Sequence, residues 1–301
     1  MKTYLKVTSA LIFAFVGMTE SASAACVREN QPQIRISGIN SINGITIGTQ
    51  NIRVDVTEAR VTDNGSTFGC HVNSTVDLRI DYRYVGRERY TWNTAQEADG
   101  IRIVTAEVTD NYGGRDSVQV RVNVRNNYVR PEVFNAEFYA WANPDVEAAF
   151  GTDPNRLLTH WLIHGINEGR WSSPSFNSAE YLALNGDVNA AFGGNRVSAL
   201  DHYIQFGLNE GRQASSLFDV RYYMSIHGDL QNAYGANNWP AATNHYLTYG
   251  VNEGRTATPG FSAGSYLARH GDLQAAYGWN PKRAVAHWIS YGSREGRNPT
   301  P

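Results

Sequence analysis

The sequence predicts two architectures in tandem: an all-β sandwich, then an all-α domain of four repeats with three short helices in each. Two observations predict this. Residues 30–125 alternate apolar and polar side chains with the period of two that belongs to strands. From Phe134 onward the landmarks recur instead at about 42 residues, with Phe134, Phe176, Phe218 and Phe261 spaced 42, 42 and 43 apart. A period of that length marks stacked supersecondary units, each too small to bury a core alone.

The segment before the sandwich reads as a leader. Lys2 and Lys6 form a positive start, an apolar run covers 10–18, and Ala22-Ser23-Ala24 fits an A-x-A cleavage site. A secretory signal peptide over 1–24 is expected, so the mature chain is expected to be exported to the periplasm, the cell surface or beyond. A span would need roughly 20 consecutive apolar residues, and no such run exists in the sequence. The 301 residues suit two ordinary domains. With 42% apolar and 12% aromatic residues the chain is far from the composition of disorder. A net charge of −2 gives no general attraction for nucleic acid or an anionic membrane, so neither is an expected partner. The cysteines are Cys26 and Cys70. In an oxidising compartment they predict one disulfide, worth about 3–4 kcal/mol through loop closure. The alternative is a lipoprotein with Cys26 as its acylated first residue. Ser23-Ala24-Ala25 lacks the usual upstream Leu, and lipidation would leave Cys70 alone.

Strands are expected at 33–39, 51–61, 75–85 and across 100–124. The turn signals between them are Asn43-Gly44, Asp63-Asn64-Gly65 and Asp110–Gly114, the last a hairpin turn. Short strands at this spacing read as a sandwich. Asp110 and Asp116 could suggest calcium, but turn formation accounts for them. The periodicity breaks at a proline-containing stretch. The expected boundaries are a sandwich over 25–127, a linker over 128–133, and a helical domain over 134–301 divided as 134–175, 176–217, 218–260 and 261–301.

Each repeat can be read helix by helix. Asn135, Asn177, Asp219 and Ser262 follow the leading Phe and suit helix N-caps. The Phe then stands at N′ and Tyr139, Tyr181, Tyr223 or Tyr266 at N4, the spacing of a hydrophobic staple. Asp145, Asp187, Asp229 and Asp272 are expected to cap a second helix that ends at Gly151, Gly193, Gly235 or Gly278. Asp153, Asn195, Asn238 and Asn280 are expected to cap a third. That helix should end at Gly165, Gly207, Gly250 or Gly292, each taken as a left-handed C′ residue.

The third helix and its exit carry the residues that tempt a catalytic reading: His160, His202, His245 and His287; Glu168, Glu210, Glu253 and Glu295; Arg170, Arg212, Arg255 and Arg297. His, Glu and Asp are types that bind zinc or move protons. His160 and His164 stand four apart, as in a metal pair. The other three repeats place Phe206, Tyr249 and Tyr291 where His164 stands, so a metal pair is not a shared feature. A structural role is expected: the histidine bonding a loop carbonyl, and the Glu and Arg pairing with each other or with a neighbouring repeat. No nucleophile elbow, phosphate loop or His-Glu-x-x-His occurs in the sequence. No catalytic residue, metal site or cofactor is therefore assigned. The better lead is aromatic. Trp161 and Trp288 share a position with Tyr203 and Tyr246 and read as core. Trp141, Trp171, Trp239 and Trp279 vary between repeats. Trp171, Trp239 and Trp279 are the ligand-binding candidates, able to stack on sugar rings; their alternative role is to seal joints between repeats.

Two resemblances add to this reading. The stretch GIRIVTAEVTDNYGGRDSVQVRVNV (100–124) resembles the final hairpin of bacterial immunoglobulin-like and polycystic-kidney-disease-type modules, which implies an immunoglobulin-like sandwich acting as spacer or binding domain. The unit F-x4-Y…D-[VL]…H-[YW]-x3-G-x2-E-G-R, over 134–297, resembles a short helical repeat of secreted and surface bacterial proteins, found also beside some glycosyltransferases. This implies an envelope or polysaccharide setting. Together these readings point to a non-enzymatic exported binding or structural protein that contacts envelope polysaccharide or another envelope protein. The alternatives are a hydrolase or lyase of envelope polysaccharide and a self-assembling surface or matrix protein.

Overall fold

The structure, a computed structural model, describes residues 27–42, 44–62 and 72–301. It has two parts: an N-terminal region of antiparallel sheets and a C-terminal region of short helices. The expected signal peptide, Cys26, Cys70, Asn43 and the turn signal at 63–65 lie outside the described residues.

The β part is sandwich-like. One sheet has the order β2 (Gln33–Ser37), β3 (Thr49–Thr57), β7 (Arg89–Asn93). The other runs β6 (Arg83–Gly86), β5 (Ser74–Ile80), β8 (Gly100–Asp110), β9 (Arg115–Val124). A short ladder joins β1 (Val27–Arg28) to β4 (Val61–Thr62). Alternation does its expected work. Ile52 and Val54 of β3 meet Val76, Leu78 and Ile80 of β5, Val104, Ala106 and Val108 of β8, and Trp92 of β7 in one core. The buried Trp92 satisfies its indole N–H on Glu97 Oε1 at 3.1 Å, as a buried indole must. The β8–β9 hairpin turns where expected. Asp110 Oδ1 accepts the N–H groups of Tyr112 and Gly114 at 2.8 and 2.6 Å, so Asp110 is a turn residue.

The strand expected over 75–85 is two strands. Asp81 and Tyr82 take φ of 47° and 69°, and β5 folds back on β6 with Ile80 opposite Arg83. The alternating pattern runs through this turn and hides it. What holds it is non-local: Asp81 N–H donates to the Ile103 carbonyl, and Asp81 Oδ1 accepts the Ile103 N–H. β7 was also absent from the sequence reading.

The helical part has four groups. The first comprises α1 (Ala136–Ala142), α2 (Pro144–Phe150) and α3 (Pro154–His160). α3 runs through a wide turn, Trp161–Gly165, into α4 (Ile166–Glu168). The second comprises α5 (Ser178–Leu184), α6 (Gly186–Phe192) and α7 (Arg196–His202), then the wide turn Tyr203–Gly207 and α8 (Leu208–Glu210). The third comprises α9 (Val220–Ile226), α10 (Gly228–Tyr234) and α11 (Trp239–His245), then Tyr246–Gly250. The fourth comprises α12 (Ala263–Arg269), α13 (Gly271–Tyr277) and α14 (Pro281–His287), then Trp288–Gly292.

Local chemistry explains these boundaries. The side chains of Asn135, Asn177, Asp219 and Ser262 each accept an N–H of the first turn, as N-caps do. The staple rings lie 5.6, 6.2, 5.8 and 6.2 Å apart between centroids. Asp153, Asn195, Asn238 and Asn280 cap the third helices. Gly151, Gly193, Gly235 and Gly278 end the second with positive φ. Two expectations fail. Asp145, Asp187, Asp229 and Asp272 do not cap the second helix; the cap position is two residues earlier, and each Asp sits in the first turn. There its charge faces the positive end of the helix.

Nor do Gly165, Gly207, Gly250 and Gly292 end the third helix. Gly165 and Gly207 are right-handed, at φ −58° and −56°. The left-handed residues are the glycines of Glu-Gly-Arg: Gly169, Gly211, Gly254 and Gly296, at 69°, 64°, 74° and 66°. Around Gly254 the bonds form a Schellman cap. Gly254 N–H donates to Val251 O at 3.1 Å and Arg255 N–H to Gly250 O at 2.9 Å.

The helical array turns back on itself, so that α14 lies against α1. Phe138 and Ala142 of α1 share a core with Val285 and Ala286 of α14 and with the third group. The stretch expected as a linker, 128–133, carries buried side chains: Tyr128 and Val133 are 1% exposed and Glu132 5%. Tyr128 packs edge-on to Trp161, and its hydroxyl donates to Asp201 Oδ1 at 2.9 Å. Ile45 of the β part enters the same core.

Candidate functional site

The recurring polar residues converge on each other, group by group. Buried Tyr139, Tyr181, Tyr223 and Tyr266 reach from the first helix of a group to the third. Their hydroxyls lie 2.8, 2.8, 3.0 and 3.0 Å from Nδ1 of His160, His202, His245 and His287. The expected loop carbonyl is not the partner. Burial pushes the tyrosine hydroxyls up, that of Tyr266 to about 12. For His160, His245 and His287 desolvation, aided by the nearby Arg170, Arg255 or Arg297, holds the imidazole below its ordinary range. In these groups a protonated hydroxyl therefore shares its bond with a neutral imidazole, the ring tautomer setting which of the two donates.

This bond explains the glycine of the wide turn. A Cβ on Gly165, Gly207, Gly250 or Gly292 would overlap the hydroxyl of Tyr139, Tyr181, Tyr223 or Tyr266. The wide turn, with Val251 N–H bonded back to Tyr246 O at 2.8 Å, lets the helix pass over that hydroxyl without breaking.

The Glu-Gly-Arg ends form forks within their own group. Arg255 Nη1 pairs with Asp229 at 2.8 Å and its Nε with Glu253 at 2.6 Å. Arg170 holds Asp145 and Glu168, Arg212 holds Asp187 and Glu210, and Arg297 holds Asp272 and Glu295. Each fork ties the start of the second helix to the exit of the third. The guanidinium bond holds the carboxyls of Asp145, Asp187, Asp229, Asp272 and Glu168 below their ordinary range. A carboxylate so held is a weak proton acceptor.

One recurring contact was missed. Asn143, Asn185 and His227 bridge inward: Asn143 Nδ2 donates to Tyr139 O and Trp171 O, Asn185 Nδ2 to Tyr181 O and Gln213 O, and His227 Nε2 bonds Thr256 O. The signal was present as Asn, Asn, His and His at 143, 185, 227 and 270, each two residues before the recurring Asp. Among the described residues no group of three or more His, Cys, Asp or Glu is placed to hold a metal ion.

The candidate tryptophans sit at joints. Trp171 is half-buried in the core that holds Phe218 and Tyr246. Trp239 is half-buried, beside Gly211 and with the Arg221 guanidinium 5.0 Å from its ring. Trp279 is 61% exposed; its Nε1–H donates to Asn252 O at 3.2 Å, and its ring lies near Gly254. Trp161 is buried, as expected for core, whereas Trp288 is half-buried. Three other rings lie open beside the histidines: Phe206 at 51%, Tyr249 at 56% and Tyr291 at 45% exposure. No family model, curated protein or solved structure matches the chain.

Proposed function

We propose that this chain is a non-enzymatic, exported binding or structural protein of a bacterial envelope, contacting polysaccharide or another envelope protein. In this reading residues 25–127 are an immunoglobulin-like sandwich, and 134–301 are four copies of one helical repeat. The observation that carries it is the fourfold recurrence of the Tyr–His bond and the Asp–Arg–Glu fork. A catalytic centre needs one distinct set of groups with free valences. Here the polar groups that looked catalytic are spent four times over on holding helices together, which suits a scaffold.

The glycan version is supported by exposed rings on that scaffold: Trp279 from the sequence candidates, and Phe206, Tyr249 and Tyr291 beside them. A flat ring with an open face can stack on a pyranose, with the outer oxygens of the forks as hydrogen-bond acceptors. Trp171 and Trp239 keep less free surface, which suits joint sealing. The test is a glycan array and a cell-wall pull-down with the chain beginning at residue 25. Retention that weakens at least tenfold in Trp279→Ala or Tyr249→Ala is expected. No retention, or retention untouched by both substitutions, overturns the glycan version, and turnover of the polymer would make the protein a hydrolase or lyase.

Export and a Cys26–Cys70 disulfide belong to the same proposal. Mass spectrometry of exported protein should find an N-terminus near residue 25 and the peptides of Cys26 and Cys70 linked. An acylated Cys26 would overturn that reading.

A further inference from the structure

In the first helical group two imidazoles stand side by side. His160 ends α3, and His164 lies in the wide turn that follows, four residues on. Their ring centroids are 5.4 Å apart. The other groups set Phe206, Tyr249 and Tyr291 beside His202, His245 and His287 at 5.5, 5.6 and 5.5 Å. The spacing therefore belongs to the backbone that the groups share, and the first group alone fills both places with nitrogen donors. The pair stands at the rim of an open groove of about 320 Å³ along α3. The matching surface of α14 is covered by α1: Lys282 Nζ donates to Asn135 Oδ1 at 3.2 Å, and Ser290 Oγ to the Ala142 carbonyl at 3.1 Å. On α3 that space stays open to water.

Two imidazoles four residues apart on one helix face are a zinc-ligand pattern. A zinc–nitrogen bond of about 2.0–2.1 Å sets each ring centre about 3.2 Å from the ion, so two rings on a tetrahedral ion have their centres about 5.2 Å apart. The 5.4 Å between His160 and His164 meets that value. One ligand is already oriented. The Tyr139 hydroxyl bonds His160 Nδ1 at 2.8 Å, and the Phe150 ring packs on the imidazole at 5.3 Å between centroids. With a proton on Nδ1 donated to the Tyr139 oxygen, the Nε2 lone pair is left over. Metal-bound histidines are held in the same way, by a partner on the second nitrogen. His164 is exposed, and among the described residues nothing hydrogen-bonds its ring. Of the nearby cations, Arg170 is offset by Asp145 and Glu168, and Arg156 lies over the Phe150 ring at 5.1 Å.

We propose that His160 and His164 bind one divalent transition-metal ion of the zinc class, the two imidazoles holding it and water filling its remaining positions. A structural zinc site takes four protein ligands; with two, the ion is exchangeable and keeps open positions. Imidazole donors suit zinc, copper and nickel over magnesium or calcium. The site uses the nitrogen that the Tyr139–His160 bond leaves over, so the scaffold need not rearrange to accept the ion. It does not depend on any envelope ligand.

The test is isothermal titration calorimetry with zinc chloride on the chain beginning at residue 25, any free thiol alkylated beforehand. The variants are His164→Phe and Phe206→His. Each gives one group the ring that the other carries at the same exposed place, so circular dichroism should report the same helix content. The wild type is expected to take up one ion per chain. His164→Phe is expected to bind it at least tenfold more weakly. Phe206→His is expected to take up a second ion, because it pairs a new imidazole with His202 at the shared spacing. A wild type that binds no zinc overturns the proposal. So does binding that His164→Phe weakens less than tenfold, and a Phe206→His variant that still takes up a single ion.

Discussion

Gly207→Ala separates two opposed expectations. Gly207 is right-handed, at φ −56° and ψ −40°. Helix propensity alone therefore predicts that alanine stabilises it, by about 1 kcal/mol. The tertiary contact predicts the reverse, because the new Cβ would overlap the Tyr181 hydroxyl, which is bonded to His202 at 2.8 Å. Overpacking a tight contact costs about 1–3 kcal/mol, and losing the Tyr–His bond about 1 kcal/mol more. The expected net is a loss of about 1–3 kcal/mol. For a cooperative unit of this size that lowers the melting temperature by roughly 2–4 °C per kcal/mol. Tyr181→Phe alone should cost about 1 kcal/mol, and in the double variant the overlap with the hydroxyl disappears, leaving tight but tolerable approaches of 3.1 Å to Tyr181 Cζ and the Tyr203 ring. The double variant should then be more stable than the sum of the singles by about 1 kcal/mol or more. Urea denaturation of all four proteins measures this. A stabilising Gly207→Ala, or strict additivity, would refute the assignment of this glycine to the hydroxyl contact.

Three further outcomes follow from the same contacts. Arg170→Ala should lower stability at pH 7 by no more than about 1 kcal/mol, since the fork is at the surface. Asp145 and Glu168 have depressed folded pKa values, so their contribution is present above about pH 4 and is lost as pH falls through those values; urea midpoints of wild type and variant should converge toward pH 3. Burial lowers the pKa of His160, His245 and His287, so the folded state resists protonation. Their contribution is full above about pH 6.5 and declines below it, and NMR titration should place these three imidazoles below the free value. Gly254→Ala should cost about 1–2 kcal/mol through its left-handed φ of +74°, with a further cost because Gly264 Cα would lie 2.9 Å from the new Cβ. Gly260→Ala, with open space around it, is the neutral control in thermal melts.

Legibility followed the range of each interaction. The caps at Asn135, Asn177, Asp219 and Ser262 and the Phe–Tyr staples were readable because both partners lie within five residues. The paired Glu and Arg of each exit turn stood two residues apart and were readable for the same reason. The Asp that joins them lies about 25 residues upstream, and it was mistaken for a cap because a first-turn Asp and an N-cap Asp leave similar traces. The β5–β6 turn was hidden because Asp81 and Tyr82 carry no glycine, their conformation being held instead by Ile103 on another strand.

Sequence by itself determined the two periods, the four groups, the caps that begin the first and third helices of each group and most aromatic positions of the core. Those are local or periodic, and each needs only neighbouring residues. Tertiary structure alone decided which of two glycines ends the third helix, because the hydroxyl of a Tyr in the first helix of the group, 26 or 27 residues earlier, claims the space above the other. It also decided that α1 closes over α14 while the matching groove on α3 stays open. That outcome depends on how successive groups rotate about one another, and no single group encodes it.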